Sequence, residues 1–411
     1  MTVEKLLGFV DEKETVKLAM DMMAIPSVSG QEGKVAEFLL KKMAEMGFEV
    51  VRQENPGFPD RPNAIGILRG TDKNLRSVML MWHTDTIPPA NLSEWKITKP
   101  FEPKLIDGRI YCHHHMKAGL AAMIMAAYAV KKANIAPRGD IILANVMGEC
   151  DLYGLGTVTA VKEYKTDAGI CLEPSGGHYI LTGHAGVVQL SIHVKGIHAH
   201  IGTILAGEAK RISAIEKAAK IINKIDTSIL TFNKVPGVLD GLPAITIGKI
   251  EGGKHVVFAA SDCRIDVDVR LIEGMSVESV KKDFETMLAK LKAEDPDIDA
   301  TVEIWLPPKS MPRGPLNVSE KEPIVQAIKE AHKKIYGKYP GVGSDIWHKA
   351  MVTDAKHMNT MGVPTPCYGP GGAGTAKQDS GADGSIEVED MMTITKVITV
   401  ALADFCSERR K

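Results

Sequence analysis

The sequence lacks the features that mark membrane, nucleic-acid-binding and disulfide-rich proteins. Its longest apolar stretches, such as Leu120–Val130, are too short to span a bilayer, and Met1–Lys5 reaches charge at once, without the apolar core of a secretion signal. Lysine and arginine number 50 against 51 acidic residues, so no broad charged surface for nucleic acid or membrane is indicated. The 6 cysteines stand singly, with no CxxC spacing, which argues against a disulfide scaffold and favours a reducing cytoplasm.

The chain does have the length and the pattern of a two-domain α/β protein. Its 411 residues, 44% hydrophobic and 25% charged, can form two separate cores. Strand-like and helix-like segments alternate in the first part, with strands predicted at Ser77–Trp82, Asp140–Met147 and Ala168–Leu172 and helices at Gln31–Met46 and Lys117–Lys132. This alternation predicts a mainly parallel sheet with helices on both faces.

From about His184 the pattern changes to that of a smaller unit. Its predicted elements follow a β-α-β-β-α-β order, which is typical of a ferredoxin-like α+β domain with an antiparallel sheet backed by two helices. The proline- and glycine-rich stretch 307–315 is then predicted to return the chain to the first domain. We therefore predict one domain from residues 1–183 and 311–411, with residues 184–310 inserted.

Ionisable residues follow three of the predicted strands directly. His83, Glu149 and Glu173 each come at the end of an apolar run, and the carboxyl ends of parallel strands share one edge of a sheet. His83 is a candidate metal ligand, and Asp85 is placed to orient its ring. A strand-capping histidine with a solvated aspartate is an equally good interpretation of that pair alone.

Two turns supply the other candidates. In the His113-His114-His115 turn we choose His115 as a ligand because it directly precedes the helix entrance, although a solvated polar turn is the alternative. In Gly148-Glu149-Cys150-Asp151, Glu149 is the candidate general base, since water activated by a metal needs a carboxylate to accept its proton. Cys150 and Asp151 are candidate ligands of a second metal, while an ordinary turn with Asp151 as a helix cap is the alternative.

The order of these motifs along nearly the whole chain resembles the aminoacylase and carboxypeptidase G-type zinc peptidases, peptidase family M20. The motifs are His83-x-Asp85, Met116-Lys117, the acidic turn at 149–151, Glu173-Pro174, Gly196-x-x-Ala199-His200 and Thr353-Asp354-Ala355-Lys356 with the Gly369-Pro370-Gly371 loop. The resemblance implies a zinc-peptidase-like fold, an inserted dimerisation (lid) domain and a homodimer. It also implies that His200 contacts the substrate across the dimer. Lys356 and His357 are candidates for binding a substrate carboxylate, and a solvated helix face is an equally good interpretation of these two residues.

The departures from the family pattern are concentrated in the metal ligands. His115 stands where the family has a metal-bridging aspartate, Cys150 follows Glu149 where the family has a second glutamate, and residues 376–379 contain no histidine ligand. The ligands that resemble one of the two family sites survive as His83, His115 and Glu173. We therefore expect one divalent ion per chain, Mn, Zn or Fe.

The sequence thus predicts a cytoplasmic metal-dependent hydrolase of a carbon–nitrogen bond, with Glu149 as the base and Asp85 as its catalytic partner. The rebuilt metal site favours an atypical substrate, such as a carboxylated aromatic amine, and resembles a 5-nitroanthranilate aminohydrolase. A conventional amidohydrolase or peptidase acting on an N-acyl amino acid or small peptide is the main alternative. A catalytically inactive homologue that binds a small molecule is the other.

Overall fold

The computed structural model describes residues 2–113, 115–134, 139–234, 241–305, 312–344, 351–372, 376–377 and 382–410. The helices are α1 Val3–Leu7, α2 Glu12–Met23, α3 Gly33–Glu45, α4 Ala118–Lys132, α5 Glu149–Leu152, α6 Leu155–Glu163, α7 Ile201–Leu205, α8 Ala214–Ile222, α9 Val277–Glu294, α10 Pro323–Tyr336, α11 Ala355–Thr360 and α12 Val388–Phe405. Short 3₁₀ turns occur at Leu92–Glu94, His115–Lys117 and Thr227–Ile229.

The strands fall into one large and several smaller sheets. They are β1 Glu49–Asn55, β2 Phe58–Leu68, β3 Val78–His83, β4 Lys104–Ile106, β5 Arg109–Tyr111, β6 Ile141–Val146, β7 Ala168–Pro174, β8 Tyr179–Leu181, β9 Gly183–His184, β10 Gly186–Lys195, β11 Ala199–His200, β12 Ala244–Gly252, β13 Phe258–Ala259, β14 Asp262–Leu271, β15 Asp299–Trp305, β16 Leu316–Asn317, β17 Gly341–Gly343, β18 Cys367–Gly369, β19 Ala376–Lys377 and β20 Ser385–Glu387.

The large sheet has the order β1-β2-β6-β3-β7-β18-β8-β17 among the described residues. Its centre, β6-β3-β7-β18, is parallel, whereas the β1-β2-β6 side and the β18-β8 pair are antiparallel. Helices cover both faces: Met43 of α3 lies against Gly66 of β2, whereas Asn63 of β2 donates to Gly156 of α6, and positions 63 and 66 point to opposite sides of a strand. The predicted α/β fold is confirmed, with a sheet that is mixed in its pairings.

The central strands are buried along nearly their whole length and mostly apolar, because both of their faces are covered. Every residue of β6 is buried, as is every residue of β3 except His83 at its end. The alanine- and methionine-rich helix α4 is apolar on nearly all sides and lies between this sheet and α2 and α12. The first polar position after each apolar strand therefore falls at the carboxyl edge of the sheet.

The small sheet is antiparallel and has the order β12-β14-β10-β15. Alternate residues of β10 and β14 are buried, which is the pattern of a sheet covered on one face. Helices α8 and α9 cover that face, and Phe284 of α9 is fully buried against it. The predicted β-α-β-β-α-β order is thus present.

Buried apolar side chains form two main clusters that follow this division. The larger cluster draws on residues 6–181 and 316–406, and the second on residues 188–302. The predicted boundaries, residues 1–183 with 311–411 and residues 184–310, stay a prediction that these clusters support. Among the described residues, none of the helices is both long enough and apolar enough to span a bilayer.

Candidate metal centre

The parallel centre of the large sheet brings three of the predicted side chains to one edge. Strand β3 pairs with β6 on one side and with β7 on the other. His83 is the last residue of β3, Glu149 begins α5 directly after β6, and Glu173 is next to last in β7. Because the three strands run in the same direction, their carboxyl ends lie side by side, as the sequence pattern predicts.

Asp85 fixes both the His83 ring and the turn that carries Glu149. The Nδ1 atom of His83 lies 2.8 Å from the backbone oxygen of Asp85 and 3.4 Å from its Oδ1. The Asp85 carboxylate also accepts the backbone N–H groups of Glu149, at 3.1 Å, and Cys150, at 2.9 Å, and the hydroxyl of Ser29. With Nδ1 engaged in this way, Nε2 is the ring nitrogen left to bind a ligand.

The electrostatics of this edge favour a cation. Burial alone would lower the pKa of His83, but its bond to Asp85 and the nearby carboxylates of Glu149 and Glu173 outweigh burial and raise it to about 10. Burial raises the pKa of Glu173 to about 8, and burial together with the neighbouring carboxylates raises the pKa of the Cys150 thiol far above its ordinary value. A positive ion would lower all three pKa values, because it would repel a proton from His83 and stabilise the Glu173 carboxylate and the Cys150 thiolate.

The side chains surround a cavity of about 230 Å³. Ligand atoms of His83, Glu149 and Cys150 all lie within 4.8 Å of one another, which is close enough to bind one ion. Glu173 lines the same cavity and is 6% exposed. The remaining walls are mostly apolar and come from Trp82, Thr86, Ile87, His113, Met116, Pro174, Met351 and Val352.

Arg313 is a site residue that the sequence motifs do not reveal. Its guanidinium Nη2 lies 2.9 Å from Oε1 of Glu149 and 3.5 Å from Oδ1 of Asp354, and it also donates to the Glu149 backbone oxygen. The guanidinium lies over the Tyr153 ring, 4.7 Å from its centroid. Burial would lower the pKa of Arg313, but Glu149 and Asp354 outweigh it, so the residue is a fixed buried cation beside the candidate base.

Asp354 belongs to a motif quoted above, but the sequence assigned it no role. It is 1% exposed, and one of its carboxylate oxygens accepts the Thr157 hydroxyl at 2.6 Å. Burial raises its pKa to about 6. Asp354 and Glu149 therefore both lie near Nη2 of Arg313 and together balance its charge.

Asp151, next to the site, takes part in a buried ion network. Arg61 makes two hydrogen bonds to Glu32, one of them at 2.8 Å, and two to Asp151, at 2.8 and 3.0 Å. The Glu32 side chain is fully buried, and burial raises its pKa despite Arg61. Arg61 donates to both carboxylate oxygens of Asp151, so this network holds helix α5 in place. A role for Asp151 as a metal ligand stays a prediction.

Of the remaining predicted residues, His200, Lys356 and His357 are not among the described residues that line the cavity. The side chain of His115 lies outside the described residues, and its backbone begins the 3₁₀ turn before α4. His200 is exposed and caps α7, its Nδ1 accepting the Gly202 N–H at 3.0 Å. Lys356 is half-buried in α11, and burial lowers its pKa. His357 is fully buried, which lowers its pKa to about 3, and lies 4.0 Å from Asp354. Their roles in substrate binding stay predictions.

A partly buried His–acid–thiol cluster at the carboxyl edge of an α/β sheet is typical of a metal-dependent hydrolase. Comparison with known sequences agrees: the model of Peptidase family M20/M25/M40 matches residues 79–404. The chain therefore belongs to this family and is a hydrolase of carbon–nitrogen bonds. The family and enzyme class predicted from the sequence are confirmed.

Relatives extend along the whole chain. The N-formyl-4-amino-5-aminomethyl-2-methylpyrimidine deformylase of Bacillus subtilis is 27% identical over 439 residues, covering 97% of this chain and 96% of the relative. The succinyl-diaminopimelate desuccinylase 2 of Shewanella loihica is 26% identical over 231 residues, covering 52% of this chain and 57% of the relative. Both names describe enzymes that remove a small acyl group.

Solved structures share the fold. Aminopeptidase PepT from Bacillus cereus superposes with a TM-score of 0.73 at 21% identity, covering 96% of this chain and 100% of that one. The YXEP protein of Bacillus subtilis, described as a dinuclear metal-binding peptidase, gives a TM-score of 0.67 at 13% identity, with 96% and 98% covered. At these identities the likeness establishes the fold alone.

Proposed function

We propose that this protein hydrolyses the amide bond of a small N-acylated compound, using one divalent metal ion and Glu149 as the general base. The observation that carries the proposal is the cluster of His83, Glu149 and Cys150 ligand atoms, all within 4.8 Å of one another, on a cavity that Glu173 also lines. The full-length similarity to a deformylase supports an amide as the bond that is cut.

The residues present suit a metal ion of the zinc class. His83 offers Nε2 because Asp85 engages Nδ1, and Glu173 offers a buried carboxylate. We keep His115 as a further ligand, on its place at the start of the turn into α4. When bound, the metal supplies a Lewis acid that polarises the amide carbonyl and lowers the pKa of water.

The protein's own groups divide the remaining work. Glu149 faces the cavity and is the carboxylate that can accept a proton from the attacking water and return it to the leaving amine. Arg313 holds Oε1 of Glu149 at 2.9 Å, which fixes the direction of the carboxylate. Asp85 holds the backbone of the same residue, so Glu149 is fixed through both its main chain and its side chain.

Substrate recognition and assembly are the finer parts of the proposal. We propose that the substrate bears a carboxylate and that Lys356, His357 and His200 contribute to its binding, His200 from the second chain of a homodimer, with the enzyme in the cytoplasm. Deamination of a carboxylated aromatic amine such as 5-nitroanthranilate would use the same base and the same metal. The deacylating relatives favour the amide.

A substrate panel tests the reaction. The purified chain is stripped with a chelator, reconstituted with Zn²⁺, Mn²⁺ or Fe²⁺, and assayed on N-formyl, N-acetyl and N-succinyl amines and amino acids and on 5-nitroanthranilate. We expect release of an amine from at least one amide, only after metal is restored. Release of ammonia from the nitroanthranilate alone would overturn the amide assignment. Failure of the protein to bind any of the three metals would overturn the proposed metal-dependent mechanism.

Glu149→Gln tests the base. The variant should still bind metal, while kcat falls by about 10²–10⁴-fold, the usual contribution of a general base. The matched control is Glu12→Gln, an exposed glutamate at the start of α2, which should leave kcat unchanged. Normal turnover by the Glu149→Gln protein would refute the assigned role.

A further inference from the structure

Cys150 differs from the other cysteines in its exposure and its neighbours. All six cysteines lie within the described residues; five are buried, and Cys150 alone is partly exposed. Its side chain lines the cavity together with His83 and Glu149, whereas the buried cysteines lie in the hydrophobic clusters. A cysteine that merely fills space is normally found in such a cluster, so the position of Cys150 needs another explanation.

A backbone hydrogen bond positions Cys150 at the carboxyl edge of the large sheet. The N–H group of Cys150 donates to Oδ2 of Asp85 at 2.9 Å, and Asp85 also holds the His83 ring. One carboxylate thus sets the positions of both the imidazole and the thiol. The Sγ atom lies 4.0 Å from the Asp85 backbone oxygen and also has the Asp85 and Glu149 carboxylates beside it, so it stands within the group of potential ligands.

The distances agree with a shared ion. In a tetrahedral zinc site, with Zn–N of about 2.1 Å and Zn–S of about 2.3 Å, the nitrogen and sulfur lie roughly 3.6 Å apart. In the structure the His83, Glu149 and Cys150 ligand atoms lie within 4.8 Å of one another, which is close to that separation.

We propose that Cys150 is a thiolate ligand of the metal ion and that the centre is therefore built for Zn²⁺. The inference rests on the proposed function and names the ion that this function uses. Thiolate is a soft donor that selects zinc over manganese, whereas imidazole and carboxylate alone discriminate weakly between these ions. With Cys150 and His83 as ligands, one further ligand from Glu173 or His115 leaves a fourth position open for water, and Glu149 remains the base.

Cobalt substitution reports directly on the ligand. The stripped full-length protein is titrated with Co²⁺, and its near-ultraviolet spectrum is searched for the thiolate-to-cobalt charge-transfer band, with the visible ligand-field bands as the sign that Co²⁺ is bound. We expect the charge-transfer band in the unmodified protein and in the control Cys263→Ser, whose thiol lies in the core of the small sheet. The band should be absent from Cys150→Ser, and Zn²⁺ should bind that variant at least tenfold more weakly.

A second measurement needs no variant. X-ray absorption at the zinc edge of the Zn²⁺-loaded protein should show a sulfur neighbour at about 2.3 Å. Ligand-field bands without a charge-transfer band, or a zinc ion with nitrogen and oxygen neighbours alone, would overturn the thiolate ligand while leaving a metal hydrolase intact. Failure of the unmodified protein to bind Co²⁺ or Zn²⁺ would overturn both proposals.

Discussion

Replacing Arg61 with methionine should destabilise the protein far more than replacing an exposed arginine. The substitution keeps much of the side-chain volume but removes the hydrogen bonds to Glu32 and Asp151. Glu32 is fully buried, so its charge would lose its partner in a place that water does not reach. Breaking one side of a buried ion pair costs about 3–5 kcal/mol, which is roughly a 1–2 M decrease in the urea midpoint if m is near 3 kcal/mol/M.

The loss in the free energy of unfolding of the Arg61→Met variant should increase as the pH rises. Burial already raises the pKa of Glu32 above the ordinary 4.5 in the presence of Arg61, and losing the cation would raise it further. A carboxyl group whose pKa is raised on folding binds more protons in the folded state, so the free energy of unfolding falls as the pH rises. The variant should therefore be least impaired in acid and lose stability as the pH is raised above 4.5.

The assay is urea unfolding followed by tryptophan fluorescence at several pH values. Arg52→Met is the matched control, because Arg52 pairs with Glu37 on the surface and both are largely exposed; its effect should stay within about 1 kcal/mol. Adding Glu32→Gln to Arg61→Met should restore part of the loss. Equal midpoints for the two arginine variants, or a deficit that is constant with pH, would refute the reasoning.

Two further substitutions test neighbouring contacts. Asp85→Asn replaces an acceptor of two backbone N–H groups by a group that can accept from only one side, and should weaken metal binding about 10–100-fold in equilibrium dialysis; unchanged affinity would contradict its orienting role. Lys117→Met removes an amine that donates to the backbone oxygens of Met22 and Ile25, at 3.0 and 2.7 Å, and should cost at least about 1–3 kcal/mol of stability near pH 9. Burial lowers the pKa of Lys117 from 10.5 to about 7, so the unfolded state binds the extra proton and stability should rise from pH 7 to 10.5 in the parent but not in the variant.

The sequence predicts those parts of the site that depend on strand direction. His83, Glu149 and Glu173 follow mostly apolar segments, and an apolar segment of strand length favours a central, parallel strand with its end at the ligand edge. Their meeting is therefore a consequence of local patterns alone. The same holds for β10 and β14, whose alternation of buried and half-buried residues is visible in the sequence.

The sequence does not predict contacts between distant, irregular segments. Arg313 follows a proline-rich stretch with no periodicity, and only its charge distinguishes it there; its pairing with Glu149 spans 164 positions. Asp151 shows the opposite case, because its place beside Glu149 suggests a ligand while Arg61, 90 positions away, engages its carboxylate. The antiparallel side of the large sheet likewise depends on how β2 meets β6, which no local pattern specifies.

The large and small sheets are connected by a short two-stranded ribbon that β9 and β16 form. The chain leaves along β9 and returns along β16, which pair antiparallel, and Val187 donates to the Arg313 backbone oxygen at 2.8 Å. Strands β9 and β16 are already neighbours, so the ends of the inserted segment are held together. The entropy of closing the chain therefore depends little on the length of that segment, and an insertion of another length could occupy the same place. Arg313, whose guanidinium contacts Glu149, lies in this connection, so a change in the orientation of the inserted unit would be transmitted to the candidate base.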